Sequence, residues 1–420
     1  MPVTFDQIVA ARERIESGVV MTPCAESLVL SETCGCTIFA KLEYLQRTGS
    51  FKERGACNAL LQLSPEARTR GVIAASAGNH ALALAYHGRR LGIPVTVVMP
   101  QFAPMIKQSR CVAMGATVVL EGLTIAQSKV KAEALAARPA DQGGGQTYIH
   151  GFDAPEVIAG QGTIGLEVLD QIHGLDAVVC PIGGGGLIAG VSLAIKTARP
   201  QVKIIGVQAE HCPGFAESLK AGKVTTVQAK PTLADGLAVP TIGARSFDIA
   251  RTRVDRVVTV SEEHLALAIL RIVEGEKGVV EGAGAAPLAA FLSGQLSELR
   301  GKRVALLHCG GNIDPTVLGR AIGRGLVVDG RMTQFTAIIA DRPGGLAELT
   351  AAVAAGGACV KQIEHERAFT SADISTVQVL CTVETRDAAH VEELHGLLQG
   401  RGIRVIARTQ PGACPMPKYT

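Results

Sequence analysis

Ala177-Val178-Val179-Cys180-Pro181-Ile182-Gly183-Gly184-Gly185-Gly186-Leu187-Ile188-Ala189-Gly190 reads as a buried strand, four consecutive glycines and the opening of a helix. Four glycines cost backbone entropy, and a mere turn does not need all of them. Their missing side chains let successive N–H groups close around a phosphate at the positive end of the following helix. The run is not a dinucleotide fingerprint, because the residue three after Gly185 is Ile188. A true G-x-G-x-x-G occurs at Gly160, Gly162 and Gly165, but Pro155–Ala159 ahead of it looks helical. No strand-end acid follows it about twenty residues on, so these glycines are expected to serve close helix packing.

Outward from the glycine run, the chain alternates β-branched runs with helical periods. Thr37–Tyr44, Val72–Ala77, Pro94–Met99, Thr117–Leu120, Ala177–Ile182, Lys203–Gln208 and Arg303–Leu307 read as buried strands. Asn79–Leu91, Thr124–Ala137, Leu187–Ala198 and Glu262–Glu276 read as helices between them. This is an α/β fold with mainly parallel sheet. Beyond Leu326 the pattern changes. Residues 327–331, with the Asp329-Gly330 pair, read as a linker. The next segments follow the order βαββαβ, a ferredoxin-like unit: Thr333–Ala340, Gly345–Ala355, Cys359–Arg367, Ile374–Glu384, Ala388–Gln399 and Ile403–Ala407. Residues 410–420 carry three prolines and read as a loose tail.

Composition narrows the function. With 41 basic and 38 acidic residues there is no global field to gather phosphates, and 3% aromatics without tryptophan leaves few platforms for bases. Nucleic acid is therefore not an expected partner. Eleven scattered cysteines, an odd number, and a charged N-terminus do not suit a secreted disulfide framework, so a reducing cytoplasm is expected. No apolar stretch approaches the ~18 residues of a spanning helix, so no membrane partner is expected.

Three further segments carry chemistry. Ser50-Phe51-Lys52-Glu53-Arg54 contains an S-x-x-E capping box that opens a helix. Lys52 then lies in the first turn, where the helix dipole favours the free amine that attacks a carbonyl. Ser76-Ala77-Gly78-Asn79-His80 joins a strand end to a helix start, where backbone N–H groups, the Ser76 hydroxyl and the Asn79 amide suit a carboxylate. The plainer alternative is that Asn79 caps the helix and His80 is a satisfied neighbour. Cys309-Gly310-Gly311-Asn312-Ile313-Asp314 ends a strand with a thiol that is either core packing or a neutral partner for a ring nitrogen. No metal motif competes, since Cys34-x-Cys36 lacks a second pair. A nucleophilic lysine, a phosphate cup, a carboxylate site and a neutral ring partner together describe pyridoxal phosphate acting on an amino acid.

Thr48–Arg54, Ser76–His80, Gly183–Gly186, Ala234-Asp235-Gly236 and Cys309–Asp314, in this order, resemble the fold type II (tryptophan synthase β-like) enzymes. Within them the chain is most similar to the threonine dehydratases, also called threonine ammonia-lyases. The resemblance implies a fold type II unit over residues 1–326, built of two α/β subdomains. It implies that Lys52 holds pyridoxal 5'-phosphate as a Schiff base and that Phe51 lies beside the ring. Asn79 would bond the ring hydroxyl, Gly183, Gly184, Gly185 and Gly186 the phosphate, and Cys309 would meet the pyridine nitrogen. Ser76, Ala77, Gly78, Asn79 and His80 would hold the substrate carboxylate. Residues 332–409, with Asp341-Arg342-Pro343-Gly344-Gly345-Leu346 at the first strand–helix turn, look like an ACT domain, which implies an amino-acid effector. Relatives are commonly oligomers, so a homo-oligomer is expected. Some relatives bind a divalent cation with a carboxylate pair. Here Glu210 has Ala216 where the second acid would fall, so no metal is expected.

The expected activity is elimination of water and ammonia from L-threonine to give 2-oxobutanoate, with L-serine giving pyruvate. Two readings compete: a dehydratase of another β-hydroxy amino acid, and a serine racemase-like enzyme. Racemisation needs a base on each face of the substrate, and Ala77 stands where racemase-like relatives place a second serine.

Overall fold

The computed structural model describes residues 3–139, 144–367 and 374–408. They form two units. The first takes the described residues up to Leu265 together with Arg271–Asp314, and the second takes Ala266–Leu270 with the described residues from Pro315 onward.

The first unit contains two sheets. In the larger, the strand order is Cys24–Glu26, Thr37–Lys41, Arg303–Leu307, Ala177–Pro181, Lys203–Ala209 and Arg256–Val260. The edge strand Cys24–Glu26 is antiparallel and every other pairing is parallel. All five residues of Ala177–Pro181 are buried, as an unbroken apolar run in a parallel sheet covered on both faces requires. The smaller sheet is wholly parallel, in the order Thr117–Leu120, Val95–Met99, Val72–Ala75 and Thr147–Tyr148. The expected α/β class with mainly parallel sheet is therefore the fold observed.

Helix boundaries follow local capping chemistry. The Ser261 hydroxyl accepts from the His264 N–H to start Glu262–Glu276, and the Thr124 hydroxyl accepts from the Gln127 N–H to start Ile125–Ala136. Gly92 closes Asn79–Leu91 in the left-handed region at φ 65°. Helix Pro155–Gln171 carries the G-x-G-x-x-G, and its glycines do serve packing. A Cβ at Gly160 would lie 2.6 Å from the Arg54 carbonyl oxygen, and one at Gly165 would lie 2.9 Å from Ala194 Cβ.

Several expected boundaries move. The strand expected over Thr37–Tyr44 ends at Lys41, and Glu43–Leu45 is a 3-10 turn that turns Glu43 inward. The strand expected over Val72–Ala77 ends at Ala75, which leaves Ser76–Gly78 as loop. Strands Cys24–Glu26, Thr147–Tyr148 and Arg256–Val260 are additions, two of them too short to show a period.

The second unit has the expected βαββαβ order. Its antiparallel sheet runs Cys359–Glu366, Thr376–Glu384, Met332–Ala340, Arg404–Arg408. Burial alternates along Met332–Ala340 and Thr376–Glu384, so one face packs Phe335, Ala337, Val379 and Cys381 against Leu349, Val353, Leu394 and Leu398 of the two helices. The linker expected at 327–331 is shorter than that, because helix Pro315–Val328 runs two residues into it. Only the turn at Asp329-Gly330 remains, with Gly330 at φ 72°. The tail expected at 410–420 lies outside the described residues.

Candidate active site

Lys52 is the first residue of helix Lys52–Leu61, as the motif reading places it, but the capping box is not formed. Phe51 is the cap residue and its neighbour Ser50 keeps a buried hydroxyl without a partner. The Glu53 carboxylate reaches two residues further back and accepts from the Thr48 N–H. The reason is a competing pairing. Ser50 bridges Gly310, the Phe51 N–H donates to the Cys309 carbonyl at 3.0 Å, and the Gly311 N–H donates to the Gly49 carbonyl at 2.9 Å. These contacts stitch the lysine loop to the Cys309 loop and hold Ser50 out of the capping position.

The Lys52 ammonium donates to the Gly151 carbonyl at 2.7 Å and lies 5.1 Å from the centre of the Phe51 ring. Burial lowers its pKa to about 8, against the opposing pull of Cys309 and Glu281. Near neutrality an appreciable fraction is free amine, the form that attacks a carbonyl. Loop 150–153 presents Gly151 to it. The Asp153 carboxylate accepts from the Ser246 N–H at 2.8 Å and hydroxyl at 2.9 Å, while Phe152 packs on the glycine run.

The glycine run ends strand Ala177–Pro181 and starts helix Gly186–Ala198, with Gly185 as its cap at φ 95°. A Cβ on Gly184 would lie 2.3 Å from the Phe152 ring, and one on Gly186 would lie 2.2 Å from the Phe152 carbonyl oxygen. Gly184, Gly185 and Gly186 are buried. Among the described residues the N–H groups of Gly183–Gly186 donate no hydrogen bond. Several buried N–H donors that converge without an acceptor form an anion site.

A second helix start has the same feature. Helix Asn79–Leu91 follows strand Val72–Ala75, and among the described residues the N–H groups of Ala77, Asn79 and His80 also lack acceptors. Asn79 does not cap its helix. Its Nδ2 donates to Glu281 Oε1 at 2.7 Å and its Oδ1 accepts from Asn312 Nδ2 at 2.8 Å. Ser76 Oγ accepts from the Gly78 N–H at 3.3 Å. The His80 ring turns inward to the Ile149 carbonyl at 3.2 Å, and burial, then Lys52, lower its pKa to about 3. The other ring nitrogen, Nδ1, is buried without a partner, so the His80 ring is only half satisfied, and its backbone N–H also lacks an acceptor. Cys309 follows strand Arg303–Leu307. Burial raises its thiol well above the ordinary value, so it is a neutral group beside Lys52.

Residues 15–310 match the family model described as "Pyridoxal-phosphate dependent enzyme". The chain belongs to this family. It is 44% identical over 403 residues to the L-threonine ammonia-lyase of Thermotoga maritima, covering 96% of this chain and 99% of that one. Among solved structures it is similar to the processed form of threonine deaminase isoform 2 from Solanum lycopersicum, with 33% identity and a TM-score of 0.71. That match covers 77% of this chain and 95% of the other. It is also similar to the serine racemase of Dictyostelium discoideum, with 34% identity and a TM-score of 0.69 over 74% of this chain and 99% of that one.

The family's cofactor fits what is present: a buried amine of lowered pKa, unpaired N–H donors for a phosphate, and a neutral thiol for the ring. Two groups of residues in this family member escaped the sequence reading. Glu281, at the start of helix Gly282–Leu292, is buried beside Asn79. Its signal was a lone acid ahead of Gly282-Ala283-Gly284-Ala285-Ala286, where only small residues fit. A Cβ on Gly282 would lie 2.5 Å from the Leu233 carbonyl oxygen, and one on Gly284 2.5 Å from that of Gly310. The second group lies behind the lysine helix. Arg54, fully buried, donates to Glu43 at 2.7 and 2.8 Å and to Glu167 at 2.6 and 2.8 Å. Lys41 donates to Glu167 at 2.6 Å, so two cations and two carboxylates neutralise one another in the core.

Proposed function

We propose that this chain is a pyridoxal-phosphate dependent L-threonine ammonia-lyase that gives 2-oxobutanoate and ammonia, and converts L-serine to pyruvate by the same route. The observation that carries this reading is the buried Lys52 amine set among two groups of unpaired helix-start N–H donors. One group suits the cofactor phosphate and the other a substrate carboxylate. When bound, the cofactor supplies an electron sink for the pair left at Cα when its proton is removed. Lys52 would hold it through Nζ, and the same Nζ, when free as the amine, would take the Cα proton of the substrate. Gly183–Gly186 would donate to the cofactor phosphate, Phe51 would lie against its ring and Asn79 would bond the ring hydroxyl. The N–H groups of Ala77, Asn79 and His80, with the Ser76 hydroxyl and the Gly78 backbone, orient the carboxylate. Cys309 would face the ring nitrogen as a neutral thiol, which would limit electron withdrawal and favour loss of the β-hydroxyl, as water with a proton from the cofactor phosphate, over reprotonation at Cα. The eliminated enamine takes up water to release ammonia. Ala77 offers no base on the second face, which supports elimination over racemisation.

The second unit is read as an ACT-like effector domain. A cleft of about 270 Å³ lies at its first strand–helix turn, between Asp341-Arg342-Pro343-Gly344 and His365 with Arg367. The ten described cysteines form no disulfide, which supports a cytoplasmic protein, and no helix among the described residues is long and apolar enough to cross a membrane. The reading includes a homo-oligomer, whose size light scattering measures.

The test is a panel of β-hydroxy amino acids, with 2-oxo acid, ammonia and substrate racemisation all measured. Threonine turnover that disappears in Lys52→Ala supports the reading. Racemisation without 2-oxo acid, or turnover by a folded Lys52→Ala protein, overturns it.

A further inference from the structure

Glu281 has no part in the reaction as described, yet it is bonded to one of the groups that serve it. Its backbone N–H donates to the Gly310 carbonyl at 3.0 Å, and its side chain makes no cap to its own helix. The carboxyl is instead wedged between two loops. A Cβ on Gly310 would lie 2.5 Å from Oε1, and one on Gly236 3.6 Å from it. The contact made by Oε1 is the 2.7 Å bond accepted from Asn79 Nδ2.

The far side of Asn79 fixes what this bond does. The Asn312 Nδ2 donates both its hydrogens, one to the Thr48 carbonyl at 2.7 Å and one to Asn79 Oδ1 at 2.8 Å. A backbone carbonyl only accepts, so Thr48 sets the direction of the Asn312 amide, and that amide in turn sets Asn79. Asn79 then has its oxygen occupied and one N–H given to Glu281. A single N–H remains. A flipped Asn79 would set two NH2 groups against each other and its oxygen against the Glu281 carboxyl.

We propose that Glu281 is a positioning residue for the cofactor ring, which with Asn312 locks the Asn79 amide so that an N–H, and never the carbonyl, faces the ring hydroxyl oxygen. This rests on the assignment of Asn79 made above. A glutamine would hold the same geometry, so the choice of an acid adds a proton. Burial and then Asp235 raise the Glu281 pKa to about 7, against Asn79, Lys107 and Lys52. Its titrating neighbours are Asp235 on the turn Asp235–Leu237, Lys107 on helix Met105–Ala113, Lys52, and Cys309, which stays neutral. Lys107 and Asp235 pair at 3.1 Å and partly offset each other. Glu281 therefore changes charge within the working range, one amide away from the ring oxygen, and the absorption of the bound cofactor follows it.

The experiment uses the holoenzyme and its Glu281→Gln, Glu281→Ala and Asn79→Ala variants. The visible spectrum is recorded from about pH 5.5 to about pH 9, and cofactor affinity is measured by titrating pyridoxal phosphate into each apoprotein. Glu281→Gln is expected to keep cofactor affinity within about threefold of the parent and to lose the spectral step near neutrality. Glu281→Ala is expected to shift the spectrum at every pH and weaken the cofactor about tenfold, as Asn79→Ala does. A Glu281→Ala protein with parental spectrum and affinity, beside an altered Asn79→Ala protein, overturns the proposal alone. An unaltered Asn79→Ala protein overturns the underlying assignment of Asn79 as well. A Glu281→Gln protein that keeps the parental spectral step removes the proton from the argument, and that result stands even if Glu281→Ala does not fold.

Discussion

Replacing Arg54 by methionine removes the guanidinium that neutralises two buried carboxylates, Glu43 and Glu167, behind the Lys52 helix. Glu167 keeps Lys41 at 2.6 Å, but Glu43 keeps only neutral hydrogen-bond donors, the Thr22 hydroxyl at 2.5 Å and the Gln46 amide at 3.3 Å. One negative charge is then left in a fully buried position. Breaking a buried pair from one side costs about 3–5 kcal/mol, which for a unit of this size lowers the melting temperature by roughly 10 °C. The pH dependence tests the cause. In the parent, burial raises the Glu43 pKa but the Arg54 charge and hydrogen bonds outweigh it and hold it below its ordinary value. Its stabilisation is thus full above the unfolded pKa and is lost as pH falls through the folded one. In Arg54→Met, burial acts without Arg54 and raises the folded pKa. Stability is then lost as pH rises from the unfolded pKa to the folded one, so the deficit against the parent is larger at about pH 8 than at about pH 5. Calorimetric melting at both values checks this, and Arg54→Met with Glu43→Gln should recover more than half of the loss. A variant that melts within about 2 °C of the parent at about pH 8, or whose deficit grows on acidification, would refute the charge argument.

Gly184→Ala would place a methyl group 2.3 Å from the Phe152 ring, so loop 150–153 must shift and cofactor affinity should fall at least about tenfold, read by titration of the apoprotein. Cofactor uptake by the apoprotein should accelerate with pH and level off above about 8, because the free amine of Lys52 attacks; a profile still rising toward the ordinary lysine value would place the nucleophile elsewhere. Cys309→Ser should remain an active dehydratase, whereas Cys309→Asp should hold the ring nitrogen protonated, lose 2-oxo acid yield and gain racemisation; unchanged partition in the Asp variant would return Cys309 to the role of core packing. Alanine at Arg342 should weaken any amino-acid binding to the second unit measured by calorimetry while threonine turnover without effector stays at the parental rate.

The strand, glycine run and helix over residues 177–198 were legible in the sequence because each follows from local physics: an apolar run buried on both faces, absent side chains, and a helical period. The same holds for Lys52 at a helix start and for the βαββαβ order after the turn at Gly330. The packing role of Gly160, Gly162 and Gly165 could also be read, because no strand precedes them. Tertiary structure decided what depends on distant partners. Ser50 and Glu53 have the spacing of a capping box, but pairing with residues 309–311 draws Ser50 away and sends Glu53 to Thr48. Asn79 looks like a cap and instead bridges Glu281 and Asn312, more than 200 residues away in sequence. Glu281 has no motif, and its value to the site exists only because parallel strands bring their carboxyl ends together and exclude water from what lies there. Local periodicity records which face of an element is apolar. It cannot record which buried polar group will be left facing which; in this protein burial moves the pKa of Lys52 and Glu281, and pairing neutralises the ion cluster of Arg54, Lys41, Glu43 and Glu167.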